Sequence, residues 1–174
     1  MSDNAGVGID AAQIVEAFNR LFRAPYNTEL VGGANEPDYQ PASDSTPARI
    51  RFREDYVRSA LHEVAHWSVA GEARRQLPDY GYWYSPDDRN LAQQRAFFTV
   101  EVKPQAVEWH FCVALQIPFS PSVDNLSIVI PEADLADFTT RLTRRYDEYQ
   151  QAGLPPRAAC FARALQVINQ PNAA

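Results

Sequence analysis

The pentapeptide His62-Glu63-Val64-Ala65-His66 constrains this chain more than any other stretch. It lies inside a mostly apolar run, Ala60 to Trp67, that reads as helix. On a helix, residues four apart lie one turn above each other, so the two imidazoles share a face. Two imidazoles in that arrangement can hold one divalent metal ion, and Glu63 beside them can act on a bound water or orient a ligand. The rest of the stripe, Ser59, Val69 or Ala70, and Ala73, is mostly small, which leaves space for a metal and a facing helix. The alternative is a pair of satisfied core histidines with no metal.

A third ligand is available downstream. Leu91 to Leu115 has a helical pattern, interrupted at Pro104, where a kink or a fresh start is expected. Glu101, Gln105 and Glu108 fall near one face of a continuous helix. A carboxylate stripe is ordinarily a solvated face. Glu101 differs because Phe97, Phe98, Val100 and Val102 flank it, which favours burial. A buried carboxylate needs a partner, and a metal would serve. His110, nine residues beyond Glu101, falls on the opposite face of a straight helix and reads as structural.

The remaining pattern predicts an α+β fold, mostly helical with a small sheet, and a metal held between two helices. Residues 1–9 read as a disordered lead-in and 10–170 as one domain. Asp10 is a candidate N-cap for a first helix that Pro25 ends. Tyr26 to Pro47 reads as loop, and Arg49 to Arg53 alternates as a short strand. The metal helix is expected over Tyr56 to Arg75, a short extended piece over Leu126 to Ile130, and two final helices over Pro131 to Gln151 and Pro156 to Asn169.

Composition narrows the function. A net charge of −6 over 174 residues argues against a protein that tracks phosphates, so no nucleic-acid partner is expected. Fifteen of the sixteen basic residues are Arg; Lys103 alone offers a side-chain amine, which leaves little scope for Schiff-base chemistry. Cys112 and Cys160 are far apart in apolar helical contexts and read as reduced core thiols. The N-terminus lacks a secretory pattern and no apolar run approaches a bilayer span, so a cytoplasmic protein with no membrane partner, and a monomer, is expected.

Two His and a carboxylate leave coordination positions open. With zinc, and Glu63 as general base, they suit a peptidase or amidase. With iron they suit dioxygen chemistry. Imidazole and carboxylate accept both metals. Two features tilt away from the peptidase. Glu101 sits in Glu-Val-Lys-Pro-Gln rather than in a second Glu-rich motif, and the flanking loops combine acids (Glu36, Asp38, Asp79, Asp87, Asp88) with Tyr and Trp. Such walls suit a cationic substrate through carboxylate pairing and cation–π contacts.

Several stretches together resemble the bacterial elongation factor P hydroxylases. They are Glu36-Pro37-Asp38-Tyr39-Gln40-Pro41-Ala42, Ala60 to Trp67, Ala70-Gly71-Glu72-Ala73-Arg74-Arg75, Asp79-Tyr80-Gly81-Tyr82-Trp83-Tyr84-Ser85-Pro86-Asp87, Glu101-Val102-Lys103-Pro104-Gln105-Ala106 and Asp124-Asn125-Leu126. They occur in the family order and cover most of the chain; the termini and Ile128 to Gln151 diverge. The resemblance implies an oxygenase that hydroxylates the β-lysyl-lysine of translation elongation factor P, with lysylated elongation factor P as protein substrate and dioxygen as cosubstrate. It implies a non-haem metal, iron in the first instance, at His62, His66 and Glu101, with Glu63 either supporting the ligands from behind or handling protons. Substrate contacts are then expected from Glu36, Asp38, Tyr39, Asp79, Tyr82, Trp83, Tyr84 and Gln105. The family looks unlike the 2-oxoglutarate-dependent hydroxylases, so 2-oxoglutarate is not expected.

Overall fold

The computed structural model describes residues 8–82, 89–125 and 127–169. The expected disordered lead-in therefore lies mostly outside the described residues. Helix α1 (Ala11–Tyr26) starts at Asp10, whose carboxylate accepts the Ala12 N–H at 3.0 Å, while the Gln13 side chain accepts the Asp10 N–H at 3.1 Å. Such a reciprocal cap stabilises a helix by about 1 kcal/mol. Ile14, Phe18 and Phe22 bury its inner face. Pro25 sits within the last turn, and the helix stops one residue later at left-handed Asn27.

Three strands follow: β1 (Thr28–Ala34), β2 (Asp38–Gln40) and β3 (Ala48–Arg53). Their order is β1-β3-β2, with β1 parallel and β2 antiparallel to β3. Only β3 was legible as a strand; β1 and β2 lie in the stretch expected to be loop. Thr28 and Leu30 do alternate as buried residues, but Gly32-Gly33 interrupt the pattern. Those glycines build a bulge. A Cβ at Gly32 would meet the Phe52 ring at 2.8 Å, and the positive φ of Gly33 (86°) lets its N–H reach the Glu54 carbonyl.

Helix α2 (Val57–Val69) carries the two histidines and ends six residues earlier than expected. Guanidinium groups take up carbonyls at its end. Arg157 donates to the carbonyls of Trp67, Ser68 and Ala70 at 2.9, 3.1 and 2.6 Å, and Arg75 donates to that of Ala70 at 2.7 Å. Helix α3 (Leu91–Leu115) runs through Pro104 as one element instead of restarting there. Helices α4 (Glu132–Ala152) and α5 (Pro156–Asn169) lie within one residue of expectation. The piece expected to be extended forms no strand among the described residues; Val129 is 95% exposed, with no sheet beside it.

Two apolar clusters hold these elements. In the larger, Trp67 of α2 packs on Phe18 and Phe22 of α1 at 5.1 and 5.0 Å between ring centres, joined by the sheet and α5. In the smaller, Phe97, Phe98, Val102 and Ala106 of α3 meet Phe138 and Leu142 of α4. Helix α3 contributes to both, and this presses one of its faces against the histidine face of α2. Cys112 and Cys160 are both free, as expected. No helix of the described residues is long and apolar enough to cross a membrane.

Arg157 also stacks over the Trp67 ring at 4.8 Å. Arg157→Ala removes charge-assisted bonds to three carbonyls. It is expected to lower the unfolding free energy by about 1–3 kcal/mol, read as a shifted denaturant midpoint with an unchanged slope.

Candidate metal centre

His62 and His66 lie one turn apart on α2, with ring centres 4.7 Å apart and Nε2 atoms 3.1 Å apart. Glu101 of α3 is 1% exposed. Its Oε1 lies 3.0 Å from His66 Nε2 and its Oε2 3.6 Å from His62 Nε2. One ligand atom from each residue falls within 4.8 Å of the others. With metal–ligand bonds of about 2.1 Å, neighbouring donors stand about 3.0 Å apart at right angles and about 3.4 Å apart in a tetrahedron. The observed separations, one to each Glu101 oxygen and one between the imidazoles, are of that size, so the donor set fits one small cation.

The chemistry of the donors fits as well. His62 Nδ1 lies 2.9 Å from Glu108 Oε2, which makes Nδ1 a donor and turns Nε2 towards His66 and Glu101. Two Nε2 atoms 3.1 Å apart cannot both present bare lone pairs; a proton or a metal ion must lie between them. Burial disfavours charge on His62, but the hydrogen bond and charge of Glu108, with the charges of Glu101 and Glu63, outweigh it and raise its pKa to about 10. Burial would raise that of Glu101, yet both imidazoles and Gln105 hold it down at about 2. Metal-free, the cluster is thus an imidazolium–carboxylate assembly at neutral pH, and a metal ion would replace the proton.

Supporting residues surround the triad. Glu108, 3% exposed, accepts from Arg58 at 2.8 Å as well as from His62. Gln105 is fully buried and donates to Glu101 Oε2 at 3.1 Å. Tyr80 stacks on His66 with ring centres 6.3 Å apart and on Tyr39 at 4.3 Å. Asp79 and Tyr80 both have left-handed backbones (φ 47° and 58°), which costs about 1–3 kcal/mol per residue. Asp79 Oδ1 accepts the Tyr39 N–H at 2.8 Å, which ties this strained turn to β2.

A cavity of about 750 Å³ opens on the triad. Glu36, Asp38, Glu63, Asp79, Tyr82 and Gln105, all expected at the site, line it. Asp38 is held by Arg51 at 2.5 and 2.6 Å. Gln105 is engaged within the protein. Tyr39 is 2% exposed and donates its hydroxyl to the Arg75 carbonyl, so it supports the wall without lining it. Glu36, Glu63 and Asp79 form no ion pair with an Arg or Lys among the described residues, so their carboxylates remain available to a cation. Burial, assisted by Glu101 and Asp79, raises the pKa of Glu63 against the pull of both imidazoles. Trp83, Tyr84, Asp87 and Asp88 lie outside the described residues.

Glu108 and Arg58 were not singled out for the site. The only signal for Glu108 was its place on the face of Glu101 and Gln105; Arg58 lies fifty positions away in the chain. His110 stacks on Tyr146 at 4.2 Å and meets its carbonyl at the α3–α4 contact, away from the triad, as expected.

The role of Glu108 is directly measurable. In metal-free Glu108→Gln, the pKa of His62 should fall from about 10 by more than about one unit. With three histidines in the chain, imidazole resonances can be assigned and titrated by NMR. An unshifted His62 would show that Glu108 does not hold its proton.

The family model described as "Elongation factor P hydroxylase" matches residues 17–173. A curated relative from Haemophilus influenzae, named elongation factor P lysine hydroxylase, is 44% identical over 153 residues, covering 87% of this chain and 85% of the relative. The chain belongs to the elongation factor P hydroxylase family, a family of enzymes.

Proposed function

We propose that this protein is a metal-dependent oxygenase that hydroxylates the lysyl-lysine side chain of elongation factor P. The observation that carries the reading is the His62, His66 and Glu101 cluster at the base of an open cavity, in a chain of this family. Two imidazoles and one carboxylate on one side of a cation leave positions for dioxygen, and ferrous iron is the ion whose chemistry makes that useful. Zinc fits the same donors, and His-Glu-x-x-His with Glu63 as general base describes a peptidase. Family membership weighs against that alternative.

The chain's own groups divide the remaining work. His62, His66 and Glu101 would hold the ion, with Glu108 and Gln105 fixing two of the three. Seven lining residues of the cavity are carboxylic acids, against the single guanidinium of Arg58. Four are already engaged: Asp38 by Arg51, Glu108 by Arg58, Asp124 by Arg89 and Glu101 by the imidazoles. Glu36, Asp79 and Glu63 are left to face the ammonium groups of an extended lysyl-lysine. Each well-placed charge-assisted hydrogen bond contributes about 1.5–3 kcal/mol. Glu63, whose pKa is raised by burial beside the imidazoles, suits the handling of protons at the site.

Incubation with lysylated elongation factor P, ferrous iron, dioxygen and a reductant should add one oxygen atom to the modified lysine, seen by mass spectrometry. Tightly held zinc with peptide cleavage and no oxygen uptake would sink the proposal. Asp79→Asn should raise KM for the lysylated substrate about tenfold, the equivalent of about 1.4 kcal/mol, and leave metal content unchanged. Equal losses of metal and substrate use would indicate damage to the turn instead.

A further inference from the structure

Residues 117–125 connect α3 towards α4 without regular structure, and Ser120, Pro121, Ser122 and Asp124 form one wall of the cavity. A segment with no strand or helix must satisfy its backbone polar groups elsewhere. Here side chains of α2 and α3 do so. Gln105 makes a two-point contact with Ser122: its Nε2 donates to the Ser122 carbonyl at 2.9 Å, and its Oε1 accepts the Ser122 N–H at 3.0 Å. Arg58 donates to the carbonyls of Pro118 and Ser120 at 3.2 and 3.1 Å.

These same two side chains reach the candidate ligands. The second N–H of the Gln105 carboxamide goes to Glu101. Both donors and the acceptor of that carboxamide are therefore in use, one on a ligand and two on the wall. Arg58 holds Glu108, and Glu108 holds the Nδ1 of His62. One relay thus joins the wall to Glu101 and the other joins it to His62. A glutamate in place of Gln105 would set a carboxylate against both Glu101 and the Ser122 carbonyl, so the neutral amide is required.

We propose that Gln105 and Arg58 are positioning residues that couple the wall segment 117–125 to the metal ligands. An ion that fixes Glu101 and His62 also fixes the partners of the wall backbone, so the wall is held more firmly when the site is filled. By reciprocity, a substrate that presses on the wall tightens the hold on the ion by the same factor. Gln105, expected to touch substrate, lines the cavity and also bonds Glu101 and Ser122. The coupling rests on the metal site proposed above and extends it to a part of the chain that contributes no ligand.

The test uses the full chain and Co2+ as the probe ion, with hydrogen exchange of 117–125 and the visible spectrum of bound Co2+ as readouts. Co2+ should slow exchange in this segment at least about tenfold. Gln105→Leu should bind Co2+ about 10–100-fold more weakly, the range for residues that orient ligands, and lose the metal-dependent slowing. Arg58→Lys, which keeps a cation beside Glu108 but cannot fork to both carbonyls, should retain affinity within about threefold and lose most of the slowing. A purely structural role would lower thermal stability yet leave the metal-dependent slowing intact, and that result overturns the coupling. If Gln105→Leu does not fold, Arg58→Lys decides alone. Uptake of Co2+ with unchanged exchange in the wild type overturns the coupling and leaves the metal site standing; no uptake at all overturns both.

Discussion

A carboxylate buried between two imidazoles is the interaction on which the rest of this structure depends. Glu101 lies among phenylalanines on α3 and is almost fully withdrawn from water. An uncompensated charge there would cost several kcal/mol. His62 and His66 supply the compensation across the α2–α3 contact, with His62 held protonated beside Glu108 and Glu101. Other features follow from this need. Glu108 holds the proton on the far side of His62, and Gln105 takes up one oxygen of Glu101.

The acid-rich cavity follows from the same centre. Its carboxylates fall into two groups. Those nearest the structural elements are already bound: Glu108 to Arg58, Asp38 to Arg51, Asp124 to Arg89. Those on the rim and beside the imidazoles have no cationic partner among the described residues. A cavity arranged in this way leaves carboxylates for a cation that are not already engaged in holding its walls. The strained turn at Asp79 and Tyr80 places one carboxylate without a cationic partner and one aromatic ring at the cavity, and its cost is offset by the Tyr39 stack and the bond from the Tyr39 N–H.

The parts of the site visible in the sequence are those with a local period. His62 and His66 are four apart on a helix, and Glu101 stands out because aromatic residues flank it. The helices were legible for the same reason, nearly to the residue for α4 and α5. What was hidden depends on long-range or backbone pairing. Strand β1 is masked by the two glycines of its own bulge. Glu108 resembles any carboxylate on a solvated face until α2 is laid against it. Arg58 reaches the centre only across the helix interface. Tyr39 fits a rim residue by composition, but the alternation of β2 turns its ring inwards. The wall 117–125 is held by side chains bonding to its main chain, a form of order that no pattern in its own residues announces.

The proposed chemistry turns on whether His62, His66 and Glu101 bind one redox-active ion. Crystals grown anaerobically with ferrous iron, with anomalous diffraction recorded on both sides of the iron edge, test it most directly. The account predicts a single iron peak per chain within bonding distance of both Nε2 atoms and the Glu101 carboxylate. A structure in which those three groups remain hydrogen-bonded to each other, with iron absent or bound elsewhere, would contradict it.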